Sequence, residues 1–120
     1  MIQPMSTTVY GITNCDTVKR ARAWLHEHGV EHRFHDYKKA GVPPRQLDAW
    51  IAALGWDRLV NRSGTTWRKL DESQRENVRD ADSARALMQA QPSVIRRPIV
   101  EWPDGTTTVG FAADDWRRRL

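Results

Sequence analysis

The sequence predicts an α/β protein: a mixed four-stranded sheet built as β-α-β and then β-β-α, with a helical insertion between the two halves. Three observations predict it. A β-rich run at residues 7–12 gives way to helical periodicity and then to a second β-rich run at 31–37, the order of a crossover with parallel strands. Two later β-rich runs flank Pro103-Asp104-Gly105, a turn sequence that predicts an antiparallel hairpin. Between the two pairs, at about 42–92, the apolar spacing is helical. The 120 residues are read as a single domain, 1–120.

Each element follows from its residues. Thr7-Thr8-Val9-Tyr10-Gly11-Ile12 is β-rich and ends at Thr13-Asn14. The residues before it read as a lead-in, with Met5 an alternative start. From Cys15 to about His28, Val18, Ala21, Trp24 or Leu25, and His28 recur three and four apart, and Gly29 stops the helix as a C′ glycine. In the second strand Phe34 and Asp36 alternate with His35. Pro43-Pro44 opens a helix that carries Leu47, Trp50, Ile51 and Leu54 on one stripe, and Gly55 closes it. Residues 56–78 read as short helical turns around a loop at Asn61-Arg62-Ser63-Gly64. A further amphipathic helix at 80–91 carries Ala84, Leu87 and Met88, and Pro92 ends it. The third and fourth strands are expected at 94–102 and 106–110, and a closing helix at 112–120.

Composition narrows the function classes. With 39% hydrophobic and 28% charged residues the chain can bury a core and is neither disordered nor membrane-resident. No stretch approaches the roughly 18 apolar residues of a spanning helix. Met1-Ile2-Gln3-Pro4-Met5 is too short and too little charged for a signal peptide, so a cytoplasmic location is expected. The net charge of +4 comes from 19 basic residues interspersed with 15 acidic ones, without a block of five like charges. Arg117-Arg118-Arg119 is the densest basic cluster, and a helix C-terminus explains it without nucleic acid, which is not an expected partner. No membrane partner is expected either.

Cys15 is the single cysteine, so no disulfide can form within the chain. It sits where a strand gives way to a helix, just after Asn14. Backbone amides at a helix N-terminus stabilise a thiolate, which makes this a position for a nucleophile; a buried, inert thiol is the alternative. Lys19 follows one turn later on the same face, whereas Asp16 in the first turn opposes it. Pro98 precedes the third strand either because a proline is tolerated there or because a cis bond presents the preceding backbone to a thiol. Arg97, beside it, reads as a surface arginine when taken alone. His26, His28, His32 and His35 lie close in sequence but on different faces, and metal binding is not expected. The six tryptophans are spread along the chain without basic interleaving and are assigned to packing.

At Tyr10-Gly11-Ile12-Thr13-Asn14-Cys15-Asp16-Thr17-Val18-Lys19 the chain resembles the arsenate reductase (ArsC) family, a thioredoxin-like fold with a helical insertion. Within it the chain is similar to the YffB-like branch, which is related to the Spx transcription regulators. Phe34-His35-Asp36-Tyr37, Gly64-Thr65-Thr66-Trp67-Arg68-Lys69-Leu70-Asp71-Glu72 and Ile95-Arg96-Arg97-Pro98-Ile99-Val100 carry the same resemblance, which extends from about Thr7 to Leu120. It implies that Cys15 is the nucleophile, Arg97 the arginine before a cis-proline, and Pro98 that proline. Two other arginines contact the oxyanion in arsenate-reducing members. One of these positions falls at Asn61, with Arg62 adjacent, and the other at Gly110, which has no side chain. The Cys-x-x-Cys pair of Spx proteins has Val18 at its second position here.

The preferred expectation is a cytoplasmic, glutathione-dependent thiol oxidoreductase. Cys15 would form a mixed disulfide that an external thiol resolves. Arg97 and Arg62 would hold a glutathione carboxylate or an oxyanion, with Asn14, Lys19 and the first helical amides completing an anion cradle. Glutathione is expected as co-substrate and no bound cofactor. The alternative is an Spx-like, non-catalytic regulator that docks on RNA polymerase; true arsenate reduction ranks below both.

Overall fold

Val9 and Tyr10 at the centre of β1 (Thr7–Gly11) are both buried, which gives the first strand an interior place in the sheet. The computed structural model describes residues 6–120; the lead-in and the alternative start at Met5 lie outside them. β1 pairs in parallel with β2 (His32–Asp36) and antiparallel with β3 (Ile99–Glu101), which in turn pairs antiparallel with β4 (Thr107–Val109). The sheet order is β2-β1-β3-β4. This is the mixed, thioredoxin-like sheet that the sequence predicts, with its parallel crossover and its hairpin.

The chain divides into two compact units, one comprising the residues up to Asp36 together with Arg97–Leu120, the other Tyr37–Arg96. In the sheet unit, α1 (Asp16–Glu27) buries Val18, Ala21, Trp24 and Leu25 on one stripe. Its end is a Schellman motif. The Gly29 amide donates to the His26 carbonyl at 3.1 Å and the Val30 amide to that of Leu25 at 2.8 Å, with Gly29 at φ 70. His28, expected on the buried stripe, is instead exposed at the C-cap and stacks on Trp24 with ring centroids 3.8 Å apart. Ala21, Trp24 and Leu25 of this stripe form a core with Val9, Val100, Trp102 and Trp116, the last from α8 (Ala113–Arg118). Trp116 meets Trp24, Trp102 and Phe111 edge-on, at centroid distances of 5.7, 5.1 and 4.8 Å.

Gly11 is fixed by close approach. A Cβ there would stand 2.9 Å from Val18 Cγ2 and 3.4 Å from Cγ1, so the end of β1 lies directly on α1. Gly11→Ala is therefore expected to cost about 1–3 kcal/mol by overpacking, read from the shift in urea midpoint. Adding Val18→Ala should return part of that cost, because the two sites share one contact. A Gly11→Ala chain as stable as the wild type would contradict the packing described.

The helical unit starts earlier than its apolar spacing indicates. Tyr37, read as the end of the second strand, opens the short helix α2 (Tyr37–Ala40) and sends its hydroxyl to the Ile95 carbonyl at 3.2 Å. There follow α3 (Pro44–Leu54), α4 (Trp56–Leu59), α5 (Thr65–Lys69), α6 (Glu72–Glu76) and α7 (Ala81–Ala90). α3 packs on α4 and α7, and Arg85 of α7 donates to Asp48 of α3 at 2.6 Å. Asp71 and Asp80 cap α6 and α7 with capping boxes.

The third β-rich run is a correction. Only Ile99–Glu101 of the expected 94–102 is strand. Pro92 opens a 3-10 turn through Val94, and Ile95 forms an isolated antiparallel bridge with Val60 inside the helical unit. Pro98 then has no N–H for the ladder, so β3 starts after it. The hairpin itself is as expected. The Gly105 amide donates to the Trp102 carbonyl at 2.9 Å and Gly105 takes φ 89, the left-handed residue of a three-residue loop.

Candidate functional site

β1 ends at Gly11, buried Ile12 anchors the exit, and exposed Thr13 and Asn14 bend the chain into Cys15. Cys15 is the N-cap of α1, extended at φ −150 and ψ 120, and its carbonyl accepts the Lys19 amide at 3.0 Å. Its side chain makes no capping hydrogen bond and is half-buried. The first-turn amides of α1, which lack partners within the helix, begin at this residue. They supply the partial positive charge that favours an anion beside the thiol. Lys19 and Asp16 are both exposed, one adding to that charge and one opposing it.

The sheet register brings the rest together. Tyr10 stands opposite Ile99, and Gly11 is level with Asp36. Because β3 is antiparallel to β1, the residues just before Ile99 emerge at the end of the sheet where β1 delivers its loop to Cys15. Those residues are Arg97 and Pro98, joined by a cis peptide bond. Pro98 is buried and Arg97 half-buried, with its Nε out of solvent. β4 returns to the same end, where the Gly110 amide donates to the Pro98 carbonyl at 2.9 Å. Gly110 takes φ 85, a conformation that favours glycine over a side-chain-bearing residue.

Tyr10 makes a polar contact across the sheet that the sequence did not single out. Its hydroxyl donates to Glu101 Oε1 at 2.7 Å, and its ring lies 5.3 Å from that of His35. Burial, then the hydrogen bond and negative charge of Glu101, push its phenol above the ordinary range. Tyr10 therefore stays protonated at neutral pH. Residues so far apart in sequence meet only through strand register, and nothing local in the chain signals it.

Arg62 belongs to the helical unit. Its guanidinium lies 5.5 Å from the Trp56 ring and 5.8 Å from the Trp67 ring, and 3.6 Å from the Asp57 carboxylate. Asn61 beside it is a turn residue, its Oδ1 accepting the Ser63 amide at 3.1 Å. The histidines have separate surroundings: His26 is exposed, His28 stacks on Trp24, His32 accepts from Arg22 Nε at 3.3 Å and His35 meets Tyr10. Among the described residues no group of three or more His, Cys, Asp or Glu is arranged to hold a metal ion, and no helix is long and apolar enough to cross a membrane.

A β2-β1-β3-β4 sheet, a cysteine at the N-cap of its first helix and a cis-proline entering β3 define a thioredoxin-like fold. The chain belongs to the ArsC family, whose sequence model matches residues 10–119. It is 44% identical over 110 residues to an uncharacterized protein of Haemophilus influenzae, covering 92% of this chain and 95% of that one. A global transcriptional regulator Spx of Listeria innocua is 31% identical over 125 residues, covering 94% and 86%. Among solved structures, the YFFB (PA3664) protein shares 48% identity at a TM-score of 0.89, covering 96% of this chain and 99% of that one. An arsenate reductase (ArsC) related protein from Brucella melitensis shares 50% identity at a TM-score of 0.74, covering 98% and 97%.

Proposed function

We propose that this chain is a glutathione-dependent thiol oxidoreductase whose nucleophile is Cys15. The observation that carries the proposal is the meeting of the Cys15 N-cap and the cis Arg97–Pro98 step at one end of the sheet. The chemistry is two thiol–disulfide exchanges. In the first, the Cys15 thiolate attacks one sulfur of a disulfide, the S–S bond breaks, and the second sulfur leaves as a thiolate. In the second, a glutathione thiolate attacks the mixed disulfide and restores the Cys15 thiolate, leaving the substrate sulfur bonded to glutathione. Cys15 is the chain's one cysteine, so the resolving thiol is external.

Arg97 is proposed to hold a glutathione carboxylate, with Asn14, Lys19 and the first amides of α1 favouring negative charge at the thiol. Arg62 is proposed as a further anion-binding residue. The test is a steady-state assay of glutathione-dependent reduction of a small disulfide. In Arg97→Leu the KM for glutathione is expected to rise about tenfold with a smaller change in kcat, the signature of a lost binding contact. An unchanged KM removes Arg97 from the proposal.

The Spx relatives favour a second reading, a non-catalytic regulator that docks on RNA polymerase. Against a built-in redox switch stands Val18, which is buried beneath Gly11 where a Cys-x-x-Cys pair would have its second thiol. Recovery of polymerase with this chain from its native host, together with no turnover in the disulfide assay, would favour the regulator. Cys15-dependent arsenate turnover would instead favour an oxyanion reductase.

A further inference from the structure

The helical unit holds a cavity that the thiol chemistry does not use. It has a volume of about 420 Å³ and is lined by Lys38 of α2, Thr66 and Lys69 of α5, Gln74 of α6, Gln91 at the C-cap of α7 and Ser93 in the 3-10 turn that follows, with Leu70 as its apolar wall. That volume is in the range of small-molecule sites. The lining combines two ammonium groups, two hydroxyls and two carboxamides, and it contains no carboxylate.

Local hydrogen bonds bias it further toward donors. Gln74 Oε1 accepts the Asp71 amide at 3.1 Å, which commits the acceptor of that side chain to the α6 cap and leaves its NH2 group as the end available to a ligand. Asp71, the neighbouring acid, accepts the Gln74 amide at 2.7 Å as part of the same cap. The carbonyls at the α7 end are also engaged: Leu87 accepts from Gln91, Gln91 from Val94, and Pro92 from Ile95. These short segments thus place cationic and neutral donors around one recess.

We propose that this recess is a binding site for a small anion with several oxygen acceptors, a phosphoryl group or a dicarboxylate. Lys38 and Lys69 supply the charge, and Thr66, Ser93, Gln74 and Gln91 the orienting hydrogen bonds. The site is a property of the helical unit and is independent of the Cys15 chemistry, so the test uses the Cys15→Ser chain.

The test is a titration of the ¹⁵N-labelled chain at constant ionic strength, with inorganic phosphate in one arm and succinate in the other. The expected result is saturable shifts confined to the amides of Thr66, Lys69, Leu70, Gln74, Gln91 and Ser93. Stronger binding of phosphate assigns a phosphoryl ligand and stronger binding of succinate a carboxylate. In Lys38→Met/Lys69→Met, changed at two exposed positions and checked for an unchanged far-UV circular dichroism spectrum, binding of that probe should weaken about tenfold or more. Shifts that fail to saturate in both arms, that gather at Arg117 to Arg119, or that persist at full strength in the double variant would overturn the proposal.

Discussion

Cys15→Ser is expected to reduce glutathione-dependent disulfide turnover to the uncatalysed rate. A serine hydroxyl cannot form the mixed disulfide, and with one cysteine in the chain no other residue can take over. The substitution is also structurally mild. Cys15 makes no side-chain capping bond, is half-buried, and has the extended backbone of an N-cap. Serine is among the preferred N-cap residues, so α1 should be at least as stable in the variant. Loss of turnover with an unchanged or raised urea midpoint therefore isolates the chemistry. Full turnover in Cys15→Ser would contradict the mechanism outright.

Trp116→Ala is expected to destabilise the chain by about 3–5 kcal/mol, a large share of the 5–15 kcal/mol typical of a natural domain. Trp116 is fully buried and is the one buried residue of α8, a helix of six residues. Its indole meets three other aromatic rings, and helices this short hold by packing and not by propensity. Removing it leaves a cavity among Trp24, Trp102 and Phe111 and releases α8 from the sheet. Trp116→Phe keeps part of the aromatic contact and should cost less. Equilibrium urea denaturation followed by far-UV circular dichroism checks both, and a loss under about 1 kcal/mol for Trp116→Ala would contradict the packing.

The sequence was most informative where period and punctuation agreed. The crossover was legible because Val18, Ala21 and Leu25 keep a helical stripe between two β-rich runs, and Gly29 ends it with the one conformation that needs glycine. The hairpin was legible from Pro103-Asp104-Gly105, whose Asp104 accepts the Thr106 amide at 2.9 Å and whose carboxyl is held below the usual range by that bond. The third strand is shorter than its β-rich run because that run serves two places. Val94 and Ile95 close the helical unit, and only Ile99 onward joins the sheet. Composition reads β propensity but cannot say which partner strand takes it.

The thiol and the Arg97–Pro98 step were both visible in the chain, but what joins them is register. Opposition of Tyr10 and Ile99 puts a residue near the start of the chain beside one near its end, and no local pattern encodes that. The same holds for Tyr10, Glu101 and His35. Gly110 shows the reverse case: its missing side chain suits its positive φ, which a residue with a Cβ rarely adopts. Trp56 and Trp67 read as packing residues, and the structure adds that they flank Arg62.

The most direct test of the central claim is the intact mass of the reduced chain after incubation with glutathione disulfide. The account predicts a single glutathione adduct on Cys15, removed again by excess glutathione and absent from Cys15→Ser. A wild-type chain that stays unmodified while a free cysteine in the same solution reacts would contradict it.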